Sequence, residues 1–569
     1  MKYTGKRALT LLLALAVLLA WGPAPARADD EAEMITFDEM VYTRPDLEAM
    51  EENVNALERA LDKGVGYSRV EKLLDEFYAR YYDFRTMYIL AQIRSSLDLT
   101  DSYYGAEYAW CMESYPTVSK LVEDMYYLCG GSPLAGELEE QYFWEGFAEA
   151  YGDSDAAVYD EELLGLMQQE SALLGEYYAL LSSPTIHMDG QEVDYYSYLE
   201  HASGSAYDQA MMQYYREYNE EFARLYIALV KVRSAMAVKL GYDNYEQMQY
   251  DYYWERDYSP EEAAAYIEDV RTYLVPLYKE AVNRNLYGRI SYDYLPEREL
   301  FRALRTGAGS MGDVIRDAFQ FMADYELYDI HYSETKSNDS FQTYLDNYDA
   351  PYLFLSPSGT VSDLMTFAHE FGHYVDAYYN YNTDETIDVS ETFSQAMEYL
   401  MLFYMEDALS DKELDNLYRY KMRDTLETYV QQGSFVEFEH AVYSADPETL
   451  NADFLNNLSL QTAKDFGYYD GYSREYYSLS WVDISHFFEA PQYVITYPVS
   501  NDVALQIFAL ERQESGAGLA KYLEILPRDY YGLIETAEAG GLVSPFTPGR
   551  LAQVAEDMRE LLYGQCQAA

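Results

Sequence analysis

The chain has 569 residues, of which 49% are hydrophobic, so it is long and apolar enough to bury a large core. Its formal net charge is −60, because 99 acidic residues outweigh 39 lysines and arginines. Such a surface repels phosphate backbones, and we therefore expect no nucleic-acid partner. The charge either attracts cationic peptides or keeps the protein in solution, and solubility is the simpler interpretation.

The N-terminus has the pattern of a secretory signal. Lys2, Lys6 and Arg7 precede an apolar stretch, residues 8–21, which is too short to span a membrane comfortably. Two small-x-small cleavage sites follow, so the sequence predicts a signal peptide over residues 1–28 and a secreted, extracellular protein. An uncleaved anchor is the alternative. We expect no other membrane contact, because no later stretch is apolar enough to span a bilayer.

The cysteines indicate neither catalysis nor a cysteine zinc site, because no CxxC pair is present. In an exported protein Cys111 can pair with Cys129. Unpaired thiols at these positions and at Cys566 are the alternative.

Helical periodicity dominates the remaining chain. The start of one helix is well marked, because Ser259 can cap it, Pro260 suits its first position and Glu262 completes a capping box. The predicted amphipathic helices are Asp46–Lys63, Arg69–Leu97, Ala206–Lys239 and Pro260–Tyr287.

Two shorter segments suggest how the chain is organised. The stretch Ser182–Asp194 contains Pro, Gly and charge, and it predicts a linker between an N-terminal helical lobe, residues 29–190, and a catalytic domain, residues 191–569. The stretch Ala350–Ser356 predicts a strand. An extended substrate could pair with this strand, and a purely structural role is the alternative.

Residues 369–373 read His-Glu-Phe-Gly-His within a predicted helix, for which Thr360 is the expected N-cap and Asp363 its capping partner. His369 and His373 are four residues apart and share one helix face. This spacing suits two nitrogens on one tetrahedral Zn²⁺. Glu370 is placed to accept a proton from a metal-bound water, so the motif predicts a zinc metallopeptidase. Two ordinary helical histidines are the alternative.

A catalytic zinc ion needs a third protein ligand and an open position. Asp376 is too short and too near His373 to reach the metal, while residues 380–388 form a predicted polar loop. Glu391 begins a helix-like run to Met405 and is the predicted third ligand. Gln395 and Glu398 follow on the same side and are expected to support the ligands. The candidates considered are Asp376, Asp384, Glu385, Asp388, Glu391 and Glu398.

Residues 359–373, which read Gly-Thr-x-x-Asp-x-x-Thr-x-x-His-Glu-x-Gly-His, resemble the active-site signature of the thimet oligopeptidase and oligoendopeptidase F family. The oligoendopeptidase F branch is the closer one, and residues 391–398 resemble the segment with its third zinc ligand. The resemblance covers about residues 206–528. It implies a mainly α, two-lobed helical zincin-type peptidase with a deep central cleft, a small β element beside the zinc helix and one Zn²⁺ ion.

The family also has a histidine and two tyrosines on a segment that faces the zinc. The matching residues are His486, Tyr493 and Tyr497. By resemblance, His486 and Tyr497 hydrogen-bond the scissile carbonyl as it becomes an oxyanion, and Tyr493 contacts substrate. Ordinary tyrosines are the alternative, because the chain has 65 of them. Asp376 stands where the family usually has a histidine, which leaves substrate preference open.

The predicted function is a zinc-dependent endopeptidase that hydrolyses internal bonds of short oligopeptides. A carboxypeptidase or dipeptidase on a similar helical cleft is one alternative, and a non-catalytic peptide-binding protein is another. A purely structural zinc site would give Glu370 no role. The sequence leaves cleavage specificity, natural substrate and oligomeric state open.

Overall fold

The structure is a computed structural model, and it describes residues 34–152, 160–182, 184–333, 335–380, 386–469, 473–527 and 531–568. The predicted signal peptide, residues 1–28, lies outside them, as do Asp384 and Glu385. Among the described residues, no helix combines the length and apolar character needed to cross a membrane.

Helices make up most of the described chain, which confirms the predicted mainly α class. The N-terminal helices are α1 (Leu47–Asp62), α2 (Tyr67–Leu97), α3 (Ser102–Gly130), α4 (Ala135–Gln141), α5 (Phe147–Ala150) and α6 (Glu161–Ser182). After a β-hairpin come α7 (Tyr195–His201), α8 (Ser205–Lys239), α9 (Tyr245–Met248), α10 (Pro260–Asp269), α11 (Val275–Arg284), α12 (Glu297–Ser310) and α13 (Asp313–Asp324).

Along the chain, a small sheet follows these helices and precedes the C-terminal set of helices. That set comprises α14 (Asp363–Asn380), α15 (Ile387–Tyr404), α16 (Asp411–Glu427), α17 (Gly433–Ser444), α18 (Ala452–Asp465), α19 (Arg474–Leu479), α20 (Ser485–Glu489), α21 (Thr496–Gln513), α22 (Ala517–Ile525), α23 (Leu533–Ala539) and α24 (Arg550–Ala568). π-Helical turns follow α9, α10 and α16, at Gln249–Tyr253, Val270–Leu274 and Thr428–Gln432. Short 3₁₀ helices lie at Phe37–Glu39, Asp346–Tyr348, Pro447–Thr449 and Ser480–Asp483.

The four predicted helices are confirmed with small shifts at their ends. The last is one continuous rod of α10, a π-helical turn and α11, and it ends at Arg284, three residues earlier than predicted. Asn285 adopts the left-handed conformation there (φ 51°), which terminates the helix. The capping box of Ser259 and Glu262 is present as predicted.

Much of the predicted linker forms a β-hairpin, and its role in joining two lobes stays a prediction. Strand β1 (Thr185–Met188) pairs antiparallel with β2 (Gln191–Asp194). Asp189 and Gly190 form the turn, both with positive φ, which is the geometry that two-residue hairpins require. The domain boundary at residue 190 stays a prediction.

The second sheet has three strands, β3 (Tyr328–Asp329), β4 (Phe341–Leu345) and β5 (Ala350–Phe354). β5 confirms the predicted strand, two residues shorter. It is the central strand, parallel to β3 and antiparallel to β4. β4 pairs with β5 along its whole length and β3 pairs with its last two residues, so the structure favours the alternative of a purely structural strand.

The proposed disulfide is wrong. Cys111 and Cys129 are both buried free thiols. They lie 18 positions apart on the single helix α3, a separation of about 27 Å along its axis, so they cannot reach one another.

The largest apolar core surrounds α14 and α15. Phe367 and Phe371 on α14, and Phe393 and Met397 on α15, are completely buried. α15 packs against α14 on one side and α21 on the other. This arrangement makes α15 the central support of the site described next.

Candidate active site

The helix with the two histidines begins differently from the prediction. Thr360 is not the cap, because α14 starts at Asp363. The Asp363 carboxylate accepts hydrogen bonds from the backbone N–H groups of residues 358, 359 and 360, at 2.8–3.0 Å. Asp363 therefore folds the preceding loop onto the first turn of the helix and fixes its start.

Gly372 explains how α14 and α15 approach so closely. A Cβ atom at this position would lie 2.5 Å from the Ser394 Cα and 2.8 Å from the Phe393 carbonyl oxygen. The contact is backbone against backbone, so a side chain cannot be accommodated by a rotamer change. The glycine in the His-Glu-Phe-Gly-His sequence thus brings Glu391 opposite the two histidines.

His369, His373 and Glu391 form one cluster. Their donor atoms all lie within 4.8 Å of one another. The His369 Nε2 atom is 3.4 Å from Glu391 Oε2, and the His373 Nε2 atom is 3.7 Å from Glu391 Oε1. The structure therefore brings together the three residues that the sequence predicts as ligands.

The donor set fits a tetrahedral zinc ion. Ligand atoms about 2.0–2.1 Å from such an ion are about 3.3–3.4 Å apart. The separations of 3.4 and 3.7 Å come close to this value. The histidine side chains keep 19% and 12% of their surface exposed, so the cluster also has an open side. Three protein ligands with one open position are the pattern of a catalytic zinc site rather than a structural one.

Each histidine is oriented through its other ring nitrogen. The Nδ1–H group of His369 donates to Glu398 Oε1 at 3.0 Å. The Nδ1 atom of His373 lies 3.0 Å from the Ser390 hydroxyl oxygen. Because these contacts occupy Nδ1, both Nε2 atoms point at Glu391 and are available to a metal. Glu398 was predicted to support the ligands, and its position agrees with that role.

A buried lysine holds Glu398 in place. The Lys421 Nζ atom on α16 donates to Glu398 Oε2 at 2.7 Å and to Asp424 at 3.1 Å. The Lys421 side chain is 2% exposed. Burial opposes ionisation of Glu398, but Lys421 and His369 keep the pKa of this carboxyl below its usual value. An ionised Glu398 can only accept, which fixes the proton of His369 on Nδ1.

Glu391 is also held on both carboxylate oxygens. The Tyr493 hydroxyl donates to Oε1 at 2.7 Å, and the Ser394 hydroxyl donates to Oε2 at 3.0 Å. The side chain is 3% exposed. These contacts leave Glu391 little rotational freedom before any metal binds.

Glu370 lies beside the cluster but outside it. It is 6% exposed, and burial raises the pKa of its carboxyl to about 7. His369 and the Gln342 backbone N–H on strand β4 oppose this rise, whereas Glu391 and Glu398 add to it. A carboxyl whose pKa lies near neutrality can both take up and release a proton at working pH.

The three residues predicted to face the zinc, His486, Tyr493 and Tyr497, lie next to one another, and Tyr493 contacts Glu391. Their ring centroids are 5.3–5.8 Å apart, and His486 Nε2 lies 3.2 Å from the Tyr497 hydroxyl. Burial lowers the pKa of His486 to about 4 and raises that of Tyr497 well above its usual value. Both are therefore neutral near pH 7, and the Tyr497 hydroxyl keeps its proton as a donor.

Arg256 joins the two sides of the site. Its Nε atom donates to Asp388 Oδ2 at 3.1 Å, and an Nη atom donates to the Thr496 hydroxyl at 2.9 Å. Both charged side chains are 0% exposed. Asp388, which was predicted to lie in a loop, is in the first turn of α15, and Thr496 is adjacent to Tyr497. One buried guanidinium thus fixes α15 relative to α21.

The remaining candidates lie elsewhere. Gln395 donates to the Tyr497 carbonyl oxygen at 3.1 Å, so it holds the facing helix and not a ligand. Asp376 is buried and accepts from Asn380 at 2.8 Å, apart from the ligand cluster. Sequence reasoning missed Ser390, Lys421 and Arg256. Only Ser390 had a signal, because it directly precedes Glu391.

Comparison with known proteins agrees with this geometry. Residues 37–154 match the peptidase M3 N-terminal domain, and residues 191–528 match peptidase family M3. The chain belongs to peptidase family M3. The second match includes every predicted site residue, from His369 to Tyr497.

Two curated proteins with similar sequences are named as oligopeptidases. The chain is 28% identical over 188 residues to oligopeptidase PepF of Bacillus subtilis, an alignment that covers 31% of this chain and 28% of that protein. It is 24% identical over 215 residues to group B oligopeptidase PepB of Streptococcus agalactiae, covering 36% and 35% of the two chains. The chain thus aligns with about a third or less of the length of these curated relatives.

Solved structures extend the likeness in fold. A structure of PZ peptidase A with inhibitor 2 superposes with a TM-score of 0.80 at 23% identity, covering 93% of this chain and 99% of that one. Oligoendopeptidase-F from Enterococcus faecium superposes with a TM-score of 0.58 at 17% identity, covering 91% and 97%. At these identities the superpositions establish a shared fold over nearly the whole chain.

Proposed function

We propose that the protein is a zinc-dependent endopeptidase that hydrolyses internal bonds of short oligopeptides. The observation that carries this proposal is the cluster of His369, His373 and Glu391 with Glu370 beside it. Membership of peptidase family M3 supports hydrolysis of peptides, and the names of the relatives support oligopeptides as the substrate class.

His369, His373 and Glu391 would hold the zinc ion through two Nε2 atoms and one carboxylate. A zinc ion bound there would polarise the scissile carbonyl and lower the pKa of a water molecule. The contacts of Glu398, Ser390 and Tyr493 keep the three donors in position for it.

Glu370 is the proposed general base and acid. Its carboxylate takes a proton from the attacking water and afterwards gives it to the leaving amine. The raised pKa of this group, about 7, suits both transfers. Partial desolvation of the site strengthens the attraction between the carboxylate and the proton.

The proposed role of Tyr497 is to donate a hydrogen bond from its hydroxyl to the carbonyl oxygen as negative charge develops on it. His486, neutral and 3.2 Å from that hydroxyl, orients it or donates beside it. The Tyr493 hydroxyl is engaged with Glu391 Oε1, so a direct contact of Tyr493 with substrate stays a prediction.

The outer strand β4 is the proposed place for the substrate backbone, in place of β5. It lies at the end of the order β3-β5-β4, and its Gln342 N–H reaches the Glu370 carboxylate. An extended peptide that adds to this edge would pass directly in front of the catalytic carboxylate.

Export is a separate proposal, because the N-terminal 33 residues lie outside the described structure. We infer from the basic start and apolar stretch that residues 1–28 are removed during secretion. Sequencing the N-terminus of protein recovered from the culture medium should find Asp29 first. A mature chain that still begins at Met1 in the membrane fraction would instead indicate an anchor.

A peptide digest with and without a chelator tests the proposed activity. We expect internal cleavage of a quenched oligopeptide, loss of cleavage on chelation and recovery on adding one equivalent of Zn²⁺. Mass spectrometry of the products distinguishes the alternatives, because removal of terminal residues alone would indicate a carboxypeptidase or dipeptidase. Stoichiometric zinc without any cleavage would indicate a peptide-binding protein.

A further inference from the structure

A pocket shares a wall with the candidate active site. It has a volume of about 130 Å³ and lies between α3, α6, α8, the α9 turn and residues 489–491. Pro491, which lines it, is two residues before Tyr493. The Trp254 Nε1–H group donates to the Pro491 carbonyl oxygen at 3.1 Å, and its ring packs edge-on against Tyr493 at 5.4 Å. The wall of the pocket is thus tied to the residue that contacts Glu391.

The lining is mainly apolar and is open to solvent. Leu174, Met236 and Met248 form a buried part, and the unbranched methionines can adapt to different shapes. Met167 and Ser171 on α6 are partly exposed, so a group from outside can enter. An apolar cavity of about 150 Å³ takes up a benzene-sized molecule, and this pocket is close to that size.

The charged groups of the lining do not favour a cationic occupant. The Glu170 carboxylate is already paired with the Arg233 Nε atom at 2.6 Å, and the Arg233 side chain is 1% exposed. Glu489 is 8% exposed and lies near the buried rings of Tyr177 and Tyr178. With Glu170 paired and Glu489 largely buried, most of the accessible lining is apolar, although tyrosine and serine hydroxyls also contribute to it.

We propose that this pocket receives an apolar side chain of the substrate, of the size of Leu or Phe, two or three residues from the scissile bond. Pro491 is two residues, at most about 7 Å of chain, from Tyr493. The Tyr493 hydroxyl in turn reaches Glu391 Oε1 at 2.7 Å. An extended peptide advances about 3.3 Å per residue, so the pocket corresponds to a substrate position two or three residues from the scissile bond. The assignment rests on the proposed function and narrows its substrate class to peptides with an apolar residue at that position.

The test is a set of quenched peptides with one variable residue, placed in turn at each of three positions on either side of the cleaved bond. For the wild-type zinc-loaded protein we expect Phe or Leu at one of the second or third positions to raise kcat/KM at least about tenfold over Asp or Lys. Equal rates for all four residues, or a preference for Lys, would overturn the assignment. Absence of any chelator-sensitive cleavage would contradict the proposed function itself, and the assignment with it.

Two variants locate the preference in the pocket. Ser171→Phe fills it and should reduce the Phe-to-Asp ratio of kcat/KM to within about twofold, while an unchanged zinc content and an unchanged circular dichroism spectrum report an intact fold. Met167→Ala enlarges it and should shift the preference from Leu towards Trp. Gln169→Phe adds the same ring to an exposed position of α6 and should leave the ratio as in the wild type. An unchanged ratio in both Ser171→Phe and Met167→Ala would show that the pocket does not select the substrate.

Discussion

The two sides of the candidate site are built by different means. The ligand side, His369, His373 and Glu391, lies on two 18-residue helices, α14 and α15, packed backbone to backbone at Gly372. The facing segment, residues 485–497, comprises a five-residue helix, a turn and the first two residues of α21. Gln492 in that turn has a φ of 64°, and its N–H donates to the buried Glu439 carboxylate at 2.9 Å. The two sides thus rest on different secondary-structure elements, which Arg256 and the Tyr493–Glu391 hydrogen bond connect. Substitutions within each side should distinguish metal binding from carbonyl binding.

The largest effect is expected for Glu370→Gln, which retains the shape of the side chain but cannot accept a proton. We expect kcat to fall by about 10³-fold, because general acid–base catalysis typically contributes 10²–10⁴. Zinc content, measured by atomic absorption, should stay at one per chain, since Glu370 is not in the ligand cluster. Cleavage at the wild-type rate would refute the proposed mechanism.

Arg256→Met removes the link between the two sides. The change leaves Asp388 buried without its partner, so we expect the free energy of unfolding to fall by about 3–5 kcal/mol. Urea denaturation measures this. The control is Arg216→Met, which breaks a surface pair with Glu475 in which both side chains are 47% exposed. That change should alter stability by less than about 1 kcal/mol. If the two variants lost similar amounts of stability, the buried Arg256–Asp388 pair would contribute no more than a surface ion pair.

Tyr497→Phe tests the facing segment alone. Loss of one hydrogen bond to the developing oxyanion should lower kcat by about 10²-fold with zinc affinity unchanged. Tyr493→Phe should instead weaken zinc binding, because it removes a donor from Glu391. Tyr273→Phe, at an exposed position, controls for the loss of a hydroxyl. If the effects of Tyr493→Phe and Tyr497→Phe were exchanged, the assignment of their roles would be wrong.

Lys421→Met tests the support behind the ligand side. Without the lysine, Glu398 is held less firmly against His369, and we expect zinc affinity to fall about 10–100-fold in a chelator competition assay. Lys421→Arg should recover most of the affinity, and Lys412→Met, exposed on the same helix, should have no effect. Ser390→Ala should produce a smaller loss through His373. If Lys421→Met lowered kcat with unchanged zinc affinity, the proposed positioning role would be excluded.

Sequence reasoning was most informative where spacing alone determines geometry. Two histidines four residues apart share a helix face whatever surrounds them, and Glu391 follows on the next helix. The facing residues His486, Tyr493 and Tyr497 came only through the family resemblance, because periodicity cannot single out two tyrosines among 65. Lys421 and Arg256 gave no signal, since their partners are 23 and 132 positions away. The central position of β5 depended on strand pairing that no local pattern encodes. The start of α14 and the hairpin at residues 185–194 had local signals that were missed, namely the Asp363 carboxylate and the Asp189-Gly190 turn.

The hydrogen bonds to the Nδ1 atoms of His369 and His373 and to the Glu391 carboxylate affect how the protein should respond to removal of its metal. Glu398, Ser390, Ser394 and Tyr493 hold the three donors through hydrogen bonds within the protein itself. In small zinc domains the ion drives folding, whereas here a large buried core around α14 and α15 stabilises the fold. We therefore expect depletion and reloading to be reversible, with only a modest change in Tm. We expect the chelated protein to remain folded and to regain cleavage of an oligopeptide once Zn²⁺ is restored.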